Sequence, residues 1–205
     1  MSQVNVNKVI SPDQAQNAGP SIDIASNGNI SMDTDTFFVD STNDRFGVGT
    51  ASPNRTLDLQ ESGGAAFNAG VIFEKCNIST SALTGTANHD VATANAYYWS
   101  TNPSGNWTYN VRFDSSNTLN SKMSTGETMN VTYITPVTSS SYYHLNLQVD
   151  GVTQTVEWSE AETPNQAGSN DEQADNGFDI YSFTIHKTGS ASYIVLGSQA
   201  HFGSY

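Results

Sequence analysis

Glu157, Glu160, Glu162, Asp171, Glu172, Asp175 and Asp179 place seven carboxylates in one stretch that holds no basic residue. Two carboxyl groups flanking a sugar linkage act as acid and base in glycoside hydrolysis, and clustered oxygen ligands hold Ca²⁺. The segment EAETPNQAGSNDEQADNG lacks the D-x-D-x-D-G order of a calcium hand and carries Pro, Gly, Asn and Ser. It therefore reads as a long, exposed acidic loop. At the tip of a sandwich such a loop is placed to contact a partner.

The histidines, His89, His144, His186 and His201, show no metal-ligand spacing. His144 and His186 lie in strand-like runs and read as satisfied core-edge residues. No nucleophile elbow, phosphate loop or dinucleotide fingerprint occurs, so neither a cofactor nor a catalytic set is expected. Gly47-Val48-Gly49 ends in a strand and opens no helix on which a phosphate would rest. Cys76 is the only cysteine and follows the apolar run Val71-Ile72-Phe73, which suggests a small buried hydrophobe. Aromatic runs remain: Tyr97, Tyr98 and Trp99 are contiguous, as are Tyr142 and Tyr143. In a strand at least one member of each run faces outward. Such a ring serves as a platform for a sugar or as part of a protein interface.

The elements that carry these residues are strands. Trp107, Tyr109, Val111 and Phe113 alternate, as do Met129, Val131 and Tyr133, and Tyr143, Leu145, Leu147 and Val149. Asp150-Gly151 separates the last run from Val152 to Trp158, a strong hairpin signal. Phe178 to Ile185 and Tyr193 to Leu196 flank a turn at Lys187-Thr188-Gly189-Ser190. No window has a helical period. The expected fold class is all-β, with residues 67–205 forming a jelly-roll-like β-sandwich. Residues 1–20, rich in Asn, Gln, Ser and Ala, read as an arm that docks on a partner. Between them, residues 21–66 hold short strands with few apolar side chains and a two-residue turn at Asn27-Gly28.

Composition narrows the partners. Charged residues are only 13% and hydrophobic residues 36%, while Ser, Thr and Asn number 26, 22 and 21. With 21 aromatics in alternating runs this is an ordered β chain with hydroxyl and amide outer faces. A net charge of −13 repels phosphate backbones and anionic lipid, so neither nucleic acid nor membrane insertion is expected. No apolar run reaches the roughly 20 residues that span a bilayer. The N-terminal residues lack a leader's apolar core, so synthesis in a cytoplasm without cleaved export is expected.

Residues 37–59, FFVDSTNDRFGVGTASPNRTLDL, contain the form F-V-D-S-x-N-D-R-x-G-x-G-T-x-S-P-x-x-x-L-x-L. This block resembles one that recurs in fibres and appendages of tailed bacteriophages. The C-terminal part is similar to a module of marine tailed-phage structural proteins. Its matching features are N-I-S-T-S-A-L-T-G at 77–85, S-G-N-W-T at 104–108, L-N-S-K-M-S-T-G at 119–126, VDGVTQTVEW, and the terminal IHKTGSASYIVLGSQAHF. The resemblance implies a non-enzymatic virion protein, made in the host cytoplasm and located on the particle. It implies a homotrimer whose arm meets other capsid or tail proteins, whose residues 21–66 form an intertwined β shaft, and whose sandwich is a knob. Scarcity of apolar side chains in the shaft points the same way, since three copies would share one core. Many fibres follow this block with a self-cleaving chaperone domain; here the sandwich follows instead, and assembly without that helper is expected. Host-surface glycan, met by Tyr97, Tyr98, Trp99, Tyr142 and Tyr143, is the alternative partner, and a polysaccharide-degrading enzyme the third reading.

Overall fold

The computed structural model describes residues 8–10, 21–32, 36–60, 70–138, 142–159 and 176–203. Most of the expected arm, and Glu160, Glu162, Asp171, Glu172 and Asp175, lie outside these residues. The described part is all-β apart from one short helix, and no described helix is long and apolar enough to cross a membrane. The chain divides into two compact units, residues 1–71 and 72–205.

Unit 1 is a single six-stranded sheet in chain order: β1 (Lys8–Ile10), β2 (Ser21–Ile24), β3 (Ile30–Met32), β4 (Phe37–Asp40), β5 (Arg45–Val48) and β6 (Leu57–Leu59). Neighbours are antiparallel until β6, which pairs parallel to β5. Ile24 pairs with Ile30, so the Asn27-Gly28 turn spans five residues rather than two. Gly28 adopts φ 86°, and Gly28 N donates to Ala25 O while Ala25 N donates to Asn29 O.

Several polar residues of the 37–59 block bind backbone. Asp40 accepts from the amides of Thr42 and Asn43 and from Asn43 Nδ2, which holds its carboxyl below the usual range. Arg45 donates to Pro53 O at 2.9 Å, and Asp58 accepts from Asn54 N at 2.7 Å. A Cβ on Gly47 would stand 2.5 Å from the Thr50 carbonyl, so only glycine fits there.

Unit 2 begins with β7 (Cys76–Ala82), β8 (Gly85–Asp90), β9 (Ala96–Thr101) and β10 (Trp107–Arg112). Helix α1 (Leu119–Lys122), β11 (Thr128–Thr138), β12 (His144–Val149), β13 (Val152–Thr153) and β14 (Val156–Trp158) follow. A long hairpin, β15 (Asn176–Gly189) and β16 (Ser192–Gly203), closes it. The large sheet runs β14-β16-β15-β11-β9-β7 and the small one β13-β12-β10-β8. From β7 to β12 successive strands alternate between the sheets. From β9 to β12 each pairs in parallel with the strand two places earlier. This winding differs from the expected jelly roll, whose sheets are antiparallel. Alternating side chains identify strands but carry no pairing direction. Only a tight turn does so, and both two-residue turns, at Asp150-Gly151 and Ser190-Ala191, join antiparallel neighbours.

Buried side chains of both sheets form one core, with Trp107, Tyr109, Tyr133, Tyr181, Phe183 and Leu147 among the most enclosed. Two expected registers are corrected. A bulge opposite Trp107–Thr108 turns His144 inward and leaves Leu145 48% exposed, while Leu147 and Val149 stay buried. The Val152–Trp158 run breaks at Gln154, and its second half crosses to the large sheet. Cys76 is exposed, not buried, because it faces out of an edge strand.

The helix is clamped at both ends. Asp150 accepts from Leu119 N and Asn120 N, and the buried Lys187 ammonium donates to the Asn120 and Met123 carbonyls, both at 2.6 Å. Two expected outcomes follow from these contacts. Gly47→Ala lowers the thermal midpoint of unit 1 by the equivalent of about 1–3 kcal/mol, because a backbone carbonyl must shift. Lys187→Met costs unit 2 about 2–3 kcal/mol in urea unfolding, because it strips two buried carbonyls of a charged donor.

Candidate functional site

Two chains of hydrogen bonds cross the core of unit 2. In the first, Trp99 Nε1 donates to the Tyr109 hydroxyl at 3.4 Å, and that hydroxyl lies 3.0 Å from His89 Nδ1. His89 Nε2 is 2.8 Å from the Ala94 carbonyl, which only accepts, so Nε2 carries the proton and Nδ1 receives the Tyr109 hydrogen. In the second, Trp107 Nε1 donates to Tyr133 Oη at 3.0 Å, and Tyr133 donates to His144 Nδ1 at 2.8 Å. His144 Nε2 is buried and has no partner. Burial pushes both histidines down to about 4, so each is neutral near pH 7. Tyr109, Tyr133 and Tyr181 stack through the centre, with centroids 3.9 and 4.7 Å apart.

The first chain accounts for Trp99, one of the aromatic residues suggested as a sugar platform, and Tyr97 packs on His89 with centroids 4.1 Å apart. Tyr97 and Trp99 are only 6% and 8% exposed and belong to the core, closed to a ligand. Tyr98 points outward from the large sheet, where its ring meets Phe178 edge-on at 6.1 Å. Tyr142 is 42% exposed and Tyr143 half-buried, just before β12. The five residues therefore divide between the core, the outer face of the large sheet and the segment before β12, and form no single platform.

The acidic group is also divided. Glu157 is exposed on β14, whereas Asp179 is buried on β15, not in a loop as expected. Its carboxylate lies 2.9 Å from His201 Nδ1 and accepts from Gln199 Nε2 at 2.8 Å and Tyr181 Oη at 3.4 Å. Burial raises the Asp179 carboxyl above its ordinary range. Asp179 and His201 are directly opposed in the β15–β16 ladder, so the group fastens one end of that hairpin. His186 bonds Thr128 Oγ1 at 2.6 Å across β11 and β15.

A polar cleft of about 330 Å³ is lined by Asn110, Arg112, Asp114, Asn117 and Asp150. Its groups are engaged internally: Asp114 caps Ser116 and Asn117, Asp150 caps α1, and Arg112 pairs with Asp90 at 2.6 Å. Among the described residues, no three His, Cys, Asp or Glu side chains are grouped to hold a metal ion. The Trp–Tyr–His chains were not legible in the sequence; the signal present was Trp107, Tyr109 and Tyr133 at inward alternating positions. Comparison with family models, with curated proteins and with solved structures gave no match.

The lowered histidine values fix a pH dependence. An unfolded chain protonates these imidazoles near 6.5, whereas the folded one resists until about 4. Stability is full above 6.5 and falls by about 1.4 kcal/mol per pH unit per histidine between those limits. Asp179 opposes this trend where its raised carboxyl regains a proton. The urea midpoint is expected to drop between pH 7 and pH 4.5; an unchanged midpoint contradicts buried neutral histidines. Tyr133→Phe leaves Trp107 Nε1 and His144 Nδ1 unpaired and is expected to lower stability by about 2–4 kcal/mol.

Proposed function

We propose that this chain is a virion structural protein of a tailed phage, a surface appendage in which three copies associate through unit 1. One observation carries the reading. Over residues 25–32 and 36–60 no Ile, Leu, Val, Met or Phe is buried; the buried positions are Asp40, Gly47, Thr50, Pro53 and Asp58. Phe37 and Phe46 pack edge to face at 4.5 Å yet stay half-exposed, and Met32, Leu57 and Leu59 are 39%, 51% and 43% exposed. A sheet with so little enclosed apolar surface offsets little of the entropy lost on ordering its strands. Identical neighbours supply the missing cover.

The 37–59 block supports the phage assignment through its resemblance, and its Asp40, Arg45 and Asp58 side chains are engaged with backbone. In this reading the arm joins the appendage to other capsid or tail proteins, and unit 2 is the knob. Its role is assembly, without catalysis or a cofactor. Glycan recognition by the knob is the second reading. It retains Tyr142, 42% exposed, the outward-facing Tyr98 and the half-buried Tyr143.

Light scattering of the purified full chain is expected to give about three times the 22.0 kDa protomer mass. Phe46→Asp, which places a charge at the shared surface, is expected to return the protomer mass while unit 2 keeps its near-UV signal. A wild-type chain at protomer mass across the accessible concentration range would falsify the trimer.

A further inference from the structure

The two outer faces of unit 2 differ in chemistry. On the small sheet, the positions alternating with buried Ala87, His89, Tyr109 and Val111 are Thr86, Asn88, Asp90, Thr108, Asn110 and Arg112. Asn110, itself only 6% exposed, donates to Asn88 and Arg112 pairs with Asp90, the pattern of a polar face. The large sheet is the reverse. Register aligns Ile78 with Tyr98, Tyr98 with Ile134, Ile134 with Ile180, and Ile180 with Ala200, an unbroken apolar row over five strands. The next row holds Pro136, Phe178 and Phe202. Ile78, Phe178 and Phe202 are 67%, 41% and 56% exposed.

We infer that the outer face of the large sheet meets the same face of the other copies across the trimer axis, an assignment that rests on the trimer proposed above. Charge selects this occupant. A chain of net charge −13 repels its own copies over most of its surface, but neither apolar row carries a charge. The row beside them, Thr132, Ser182 and Ser198, is neutral as well. Within these three rows an oppositely charged partner finds nothing to pair with, whereas an identical neutral apolar face does; the acidic Glu157 lies a row further on, beside Leu196.

Size agrees. At strand spacings of about 4.8 Å and about 3.4 Å per residue, the face is on the order of 500 Å². A stable interface takes about 800 Å² per partner, so this face alone does not hold copies together. Copies already tethered through unit 1 meet at high effective concentration, where a smaller contact suffices.

Cys76 is the natural reporter. It is the only cysteine, it is exposed in one copy, and it lies two residues before Ile78 on the same side of β7. The test measures N-ethylmaleimide labelling of Cys76 and solution mass for the full chain and for the double variant Ile78→Asp/Phe202→Asp. The expected result is a wild-type trimer labelled at least tenfold more slowly than the variant, with the variant still trimeric through unit 1. Equal labelling rates in two trimeric proteins overturn this inference and leave the trimer standing. A wild-type chain at protomer mass overturns the trimer itself, and this inference with it. If the double variant loses its near-UV signal, Ile78→Asn alone, at a position already 67% exposed, serves with the same criteria.

Discussion

The interior of unit 2 depends on one constraint: polar aromatic side chains buried away from water must find their partners among themselves. Indole N–H, phenol and imidazole are costly to bury unpaired. The Trp99–Tyr109–His89 and Trp107–Tyr133–His144 chains meet most of that requirement by running from a donor-only indole through a hydroxyl to an imidazole; the Ala94 carbonyl completes the first, and His144 Nε2 at the end of the second is left without a partner. Both chains cross between the sheets. They specify which strand faces which more sharply than Leu and Val contacts can, because a shift of one residue would leave several groups unpaired. The stacked rings of Tyr109, Tyr133 and Tyr181 fill the space between them.

Unit 1 follows the opposite rule. Among its described residues, order comes from backbone capping by Asp40, Arg45 and Asp58 and from the glycine that lets Thr50 approach, with no large apolar side chain buried. Local bonds of this kind fix turn geometry but contribute little net stability each. The contrast between a unit held by interior packing and one held by its turns is the basis for assigning assembly to the second.

What could be read from the sequence was whatever has a local cause. Alternation at Trp107–Val111 and Met129–Tyr133, and the Asp150-Gly151 turn with φ of 53° and 80°, gave strands and a hairpin where they occur. The parallel winding was not legible, since nothing local records which earlier strand a new one will join. Nor was the β12 bulge, which sends His144 in and Leu145 out against their polarity, because its cause lies in β10. Among the site residues, contiguity of Tyr97, Tyr98 and Trp99 showed that one of them faces out, and burial decided that it is Tyr98. Asp179 was misplaced because composition assigned it to the loop before it, whereas its ladder partner His201 lies 22 residues further on.

The winding of unit 2 also bears on the order in which a ribosome delivers it. Strands β9 to β12 can each settle on a predecessor already made, so the first half of the unit can accrete as it emerges. β11 is different: its eleven residues find their full-length antiparallel partner only in β15, well downstream, where Thr128 pairs with His186 and Thr138 with Asn176. Until that hairpin arrives, a nascent chain carries an open sheet edge beside an unfinished aromatic interior. Truncated or stalled chains are the ones that would stick to one another, and completion of the last thirty residues closes that window.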